Sequence, residues 1–232
     1  MSDLSAFSIT TRWPSKDPSI IQLYSYPTPN GVKVSIALEE MGLAYEPHLV
    51  TLKDEDVKSN AFLSLNPNNK IPAILDPNGP DGEPIALWES GAILLYLAEK
   101  SGKFGGKTAT EKIHITKWLM FQMGGLGPML GQLGFFSKFA GKEIEDPRPV
   151  QRYINESKRL LAVLEKQLDG QDWITGEYSI ADMAIAPWLN ALEFYGTKDV
   201  TGYHSLTNVP AYVDRFFDRP AAVKGRQIPD PS

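Results

Sequence analysis

Two short stretches bring together side chains able to hold a bound molecule: Thr28-Pro29-Asn30-Gly31 and Glu89-Ser90. Each stands where an apolar strand pattern gives way to a helical one. Hydroxyl, carboxamide and carboxylate groups there share a helix start with backbone N–H groups that have no acceptor inside the helix. With the positive end of the helix dipole behind it, such a start can hold a carboxylate or a sulfur anion. The same residue types also make plain caps and turns. Tyr24, Ser25 and Tyr26 add hydroxyls on or just after the first strand, and alternation puts Tyr24 and Tyr26 on one face.

The composition removes other chemistries. With no cysteine in the chain, disulfides, a protein thiolate and iron–sulfur ligation are excluded, so thiol chemistry must arrive with a bound small molecule. His48, His114 and His204 lack a metal-ligand spacing, and no metal is expected. Gly106-Lys107-Thr108 copies the tail of a phosphate loop, but Ser101 stands where that pattern needs glycine. Gly125-Leu126-Gly127 with Gly131 loosely follows a dinucleotide fingerprint, yet lies in a helical stretch outside any βαβ unit. A net charge of −5 gives no global attraction to nucleic acid or to an anionic membrane.

The elements that must position these groups follow from length and pattern. At 232 residues, 42% hydrophobic and 22% charged, the chain makes one or two folded domains. Residues 1–19 lack an apolar core behind a basic start and read as a disordered arm of a cytoplasmic protein. Trp118 to Ser137 runs uncharged for long enough to span a bilayer, but its glycines and Pro128 fit a buried helix, a break and a second helix better. From Ile20 the pattern predicts a strand to Ser25, a helix over Val32 to Met41 closed by Gly42, and a second strand over Tyr45 to Leu52. Strands separated by a helix make a right-handed βαβ unit. Asn60 to Leu65 is a short helix at most. Ile71 to Leu75 and Pro84 to Trp88 flank a turn-rich loop and form an antiparallel hairpin, and Glu89-Ser90-Gly91 opens an apolar helix to Lys100.

Residues 20–100 therefore form a first domain, 101–109 a linker, and 110–232 an all-helical domain. Helices are expected over Thr110 to Met123, Pro128 to Phe139, Pro149 to Leu168, Ser179 to Phe194 and Val209 to Phe217. Ser179 and Asp182 have the spacing of a capping box, a structural role.

This order of elements, with Thr28-Pro29-Asn30-Gly31, Asn66-Pro67-Asn68-Asn69-Lys70-Ile71-Pro72, Glu89-Ser90-Gly91-Ala92 and Gly124-Gly125-Leu126-Gly127-Pro128-Met129, resembles the glutathione transferase family over residues 20–220. The motifs are similar to those of its Nu class, which includes bacterial disulfide-bond oxidoreductases and fungal nitrogen-regulator-like relatives. The resemblance implies an α/β thioredoxin-like N-terminal domain, a cis peptide before Pro72, an all-α C-terminal domain, a homodimer, and bound glutathione as co-substrate.

Within that resemblance the site residues take roles. Glutathione carries two carboxylates, an ammonium and a thiol. Ser90 at a helix start suits one carboxylate and Glu89 the ammonium. Ile71 offers its backbone to the cysteinyl residue, Lys70 faces the glycyl carboxylate, and Gln122 and Arg152 are further glutathione-binding positions. Val57 stands where some bacterial relatives have a glutamine contact. Thr28 and Asn30 are the catalytic candidates that hold the sulfur, with Tyr24, Ser25 and Tyr26 as alternatives. Lowering a thiol pKa from about 8.5 to about 6.5 requires roughly 2.7 kcal/mol. A charge-assisted hydrogen bond of about 1.5 to 3 kcal/mol and a helix N-terminus of about 0.3 to 1 kcal/mol supply that.

Three activities remain open on these residues: glutathione-dependent reduction of disulfides, conjugation of glutathione to small electrophiles, and binding of glutathione or apolar ligands without catalysis. Phe135 and Phe136 offer an apolar wall in the glycine-rich stretch.

Overall fold

The computed structural model describes residues 4–231 and divides into two compact units. The first unit runs to Lys103 and takes back the chain from Pro220 onward; the second is Phe104–Arg219.

The first unit is built on four strands, β1 Ile21–Ser25, β2 Tyr45–Leu49, β3 Ala73–Asp76 and β4 Ile85–Trp88, in the order β2-β1-β3-β4. β1 and β2 are parallel, as a helical crossover requires, whereas β3 is antiparallel to both β1 and β4. Its helices are α1 Ile9–Arg12, α2 Pro29–Met41, α3 Asp54–Val57, α4 Asn60–Leu65 and α5 Ser90–Ser101. Pro29 opens α2 behind the cap Thr28, and Gly42 closes it at φ 69°.

The arm expected to be disordered is ordered from residue 4; residues 1–3 lie outside the described part. Leu4 and Ile9 are buried, with Phe7 and Trp13 packed on the same cluster as Tyr24, Phe62 and Ile71. Trp13 Nε1 donates to Leu49 O at 3.0 Å, Arg12 pairs with Asp56 at 2.6 Å, and the N–H groups of Lys16 and Asp17 donate to the Glu46 carboxylate. Four apolar anchors spaced over ten residues suffice to hold a segment too short to show helical periodicity.

The C-terminal boundary also differs from the sequence reading. α12 Pro220–Gly225 packs on α2 in the first unit. Ser35 Oγ donates to Gly225 O at 2.6 Å, and a Cβ on Gly225 would lie 2.7 Å from Ile36 Cα. α2 is consequently buried nearly all round, Lys33 and Ser35 included, where its sequence shows one apolar face.

The second unit contains α6 Ala109–Phe121, α7 Gly127–Lys138, α8 Arg148–Gln167, α9 Ile180–Tyr195, α10 Lys198–Thr201 and α11 Asn208–Phe217. The expected break after α6 is a π-helical turn, Gln122–Leu126, whose residues stay helical into α7. The extra backbone length of a π turn accommodates Pro128, which has no N–H to return to the preceding turn. α9 is the core helix, and Ser179 and Asp182 close its N-terminus as a capping box. No helix among the described residues is long and apolar enough to cross a membrane.

Candidate functional site

The sheet register gathers the first-unit candidates on one edge. Tyr24 in β1 pairs with Ala73 at the start of β3, and Ala73 pairs with Trp88 at the end of β4. One step beyond that row stand the exit of β1 toward Thr28, the Ile71-Pro72 approach to β3, and Glu89-Ser90 after β4. Residues from three distant segments thus share an edge because one antiparallel strand lies between two that run the other way.

At the first exit, Thr28 is extended (φ −87°, ψ 166°) and its Oγ1 accepts from the Gly31 N–H at 3.2 Å. Val32 N–H donates to Thr28 O at 3.0 Å. Asn30 stands on the same half-exposed turn, where Pro29 has no N–H to offer. Capping does not exhaust Thr28: a hydroxyl that accepts one hydrogen bond still has its own hydrogen to donate. Gly31 is required sterically, because a Cβ there would sit 1.9 Å from Tyr26 O. Thr28 and Asn30 are half-exposed, while Ser25 and Tyr24 are fully buried. Ser25 Oγ points to Tyr26 O, and the Tyr24 hydroxyl is buried without a hydrogen-bond partner, which drives its pKa up. Tyr26 is half-buried against the same cluster as Tyr24. Alternation identified the shared face correctly but could not tell that the face is the core.

At the second position the Ile71–Pro72 peptide is cis. The loop before it is shaped by Asn66, which is buried: its Nδ2 donates to Lys70 O at 2.6 Å and its Oδ1 accepts from Asn68 N–H at 2.9 Å. Asn69 takes the left-handed conformation at φ 52°, one that asparagine tolerates. Lys70 is thereby exposed and Ile71 buried at its side chain. Val57 points into the core cluster, so no polar contact issues from that position. Its neighbour Asp56 instead ties down Thr51, from N–H and Oγ1.

At the third, Glu89 has φ 71° and makes no side-chain capping bond, although it occupies the cap position of α5. Its carboxylate is exposed, while Ser90 behind it is only 3% exposed. A carboxylate that does not cap, on a residue held at positive φ, is an arrangement local helix chemistry does not explain.

Gln122 and Arg152 both belong to the second unit. Gln122 is buried in the π turn, with its Nε2 so close to Gly127 that a Cβ there would fall 2.4 Å away. Arg152 is exposed on α8 and lines an open cleft of about 730 Å³ with Gln151, Asn155 and two arginines that are already paired, Arg148 with Asp146 and Arg159 with Glu156. Phe136 stacks on Tyr153 at 5.5 Å and Phe135 is exposed. Ser179 and Asp182 are buried away from solvent: the aspartate accepts from Ile174 N–H, Ser179 N–H and Ser179 Oγ, and burial nonetheless raises its pKa to about 6.

Sequence reasoning passed over Lys33. It stands between Val32 and Val34 in the helix after Thr28, an apolar setting where a charge is out of place, and its Nζ reaches Ser90 Oγ at 3.3 Å.

Family models for the N-terminal and C-terminal domains of glutathione S-transferases match residues 28–100 and 128–220. The chain is 49% identical over 174 residues to the disulfide-bond oxidoreductase YfcG of Escherichia coli, covering 74% of this chain and 80% of that protein. A glutathione transferase from Burkholderia graminis, crystallised with two glutathione molecules per subunit, superposes with a TM-score of 0.98 at 56% identity, over 100% of this chain and 98% of the other. One from Pseudomonas putida, with one glutathione disulfide per subunit, gives 0.96 at 56% identity, over 98% and 99%.

Proposed function

Because this chain belongs to the glutathione transferase family, we propose that it reduces disulfide bonds with glutathione, in the manner of the family's Nu class. The observation that carries the reading is the absence of cysteine beside a sheet edge that gathers two helix starts. With no thiol of its own, the protein cannot hold a mixed disulfide covalently, so both sulfurs exchanged must belong to bound molecules.

In this reading Ser90 and the start of α5 take the γ-glutamyl carboxylate, Glu89 its ammonium, Ile71 the cysteinyl backbone, and Lys70 the glycyl carboxylate. The sulfur rests at the start of α2, receiving the Thr28 hydroxyl and the Asn30 N–H or carboxamide. Stabilised as thiolate, it attacks one sulfur of a substrate disulfide; a mixed disulfide with glutathione forms and the other half leaves as thiolate. A second glutathione thiolate attacks the glutathione sulfur of that mixed disulfide, giving glutathione disulfide and releasing the remaining substrate thiolate. The relatives crystallised with two glutathiones, or with glutathione disulfide, support a site of that capacity. Gln122 and Arg152 are proposed as further glutathione contacts, and a homodimer acting in the cytoplasm belongs to the same proposal on family resemblance.

The test is to compare glutathione-dependent turnover of 2-hydroxyethyl disulfide with that of an aryl halide. Faster disulfide turnover is expected. Faster conjugation would move the assignment to electrophile transfer, and tight glutathione binding with neither activity would make the protein a carrier.

A further inference from the structure

Lys33 stands in the second turn of α2 with its whole side chain buried, and its Nζ donates to Ser90 Oγ at 3.3 Å. An ammonium has three donors and no acceptor, so at this contact the serine oxygen accepts and its own hydrogen is turned away from the lysine. Ser90 is the first residue of α5, and the groups beside it are that helix's opening N–H donors. A buried cation, a hydroxyl polarised by it and a helix N-terminus therefore stand in series.

We propose that Lys33 is a positioning residue for the α-carboxylate of glutathione's γ-glutamyl group, fixing the Ser90 hydroxyl as a donor to that carboxylate and placing a positive charge behind it. This rests on the reading of Ser90 given above and extends it to a residue that does not touch solvent. Burial draws the ammonium down to about 7, against the pull of Glu89. Among the described residues, charged groups on the elements packed against α2 also include Glu99 and Lys100 at the far end of α5, Lys224 of α12, paired with Glu39, and Arg226 just after it. An arriving carboxylate favours the charged lysine, so binding above about pH 7 takes up a proton and weakens as the pH rises.

The experiment uses S-methylglutathione, whose sulfur cannot ionise, and its S-methylated 4-aminobutyryl-cysteinylglycine analogue, which lacks only the α-carboxylate. Both are titrated calorimetrically into the full-length wild type and Lys33→Met from about pH 5.5 to about 8. Near pH 6.5 the variant is expected to bind S-methylglutathione at least about tenfold more weakly, and the analogue within about twofold of wild type. Wild-type affinity for S-methylglutathione should fall above about pH 7 while the variant's stays flat. Equal affinities and equal pH profiles in the two proteins overturn the role of Lys33 and leave the glutathione site standing. A wild type that does not bind S-methylglutathione at all overturns the glutathione reading itself. Should Lys33→Met fail to fold, the wild-type profiles decide: a flat S-methylglutathione profile, or one shared by the analogue, refutes the proposal.

Discussion

Two helices of this protein begin with a serine beside a carboxylate, and they begin in opposite ways. At α9 the acid lies three residues inside the helix, where it accepts from Ile174 N–H, Ser179 N–H and Ser179 Oγ, and both residues are buried. That start is closed on itself. At α5 the acid precedes the serine: Glu89 sits in the cap position at φ 71°, caps nothing, and leaves its carboxylate exposed. Ser90 is fed from behind by Lys33. The start of α2 lies between the two, with Thr28 capping Gly31 on a half-exposed turn. Similar residue types give a structural joint where the carboxylate closes the cap locally, and an exposed carboxylate beside a helix start, the ligand site proposed above, where it does not.

Asp182→Ala is the strongest way to break this contrast. It strands buried N–H groups, so stability should fall by about 2 to 4 kcal/mol in urea unfolding, while the folded protein binds glutathione as before. A loss of glutathione affinity with unchanged stability would erase the distinction between the two starts. Ser90→Ala should do the reverse, weakening glutathione by roughly ten- to a hundredfold in calorimetry with a much smaller change in melting temperature. The intermediate start gives the smallest expected effect: Asn30→Ala should slow disulfide turnover by about tenfold and change glutathione affinity by no more than about threefold. Unchanged turnover would take the Asn30 carboxamide out of the sulfur contact and leave it to the Thr28 hydroxyl and the Asn30 N–H, which the substitution keeps, or to Tyr26, because Ser25 is buried.

Much of the framework could be read from local pattern. The strand ends at Ser25 and Trp88, the glycine that closes α2, and the Ser179–Asp182 box each depend on residues within a few positions of one another. The arm at Ile9–Arg12 and the return of α12 were not legible, because each is held by partners far along the chain, Leu49 and Asp56 for one and Ser35 for the other. The site divides in part the same way. Glu89-Ser90 and Thr28-Asn30 announce helix starts, whereas Lys33 beneath Ser90 is brought there from 57 positions away; Asn66, only four residues from Lys70, braces that loop through a local hydrogen bond that residue type alone does not specify.

The chain by itself determined which chemistry was possible: it has no reactive sulfur, it has helix starts able to hold anions, and its strands and helices have the order of a thioredoxin-like domain followed by helices. Those properties depend on composition and short-range spacing. Tertiary structure decided which groups could use that chemistry, because burial is a property of the packed molecule. It placed Tyr24 and Ser25 in the core, left Thr28, Asn30 and Glu89 accessible, and drove a lysine 57 positions away in sequence against the Ser90 hydroxyl.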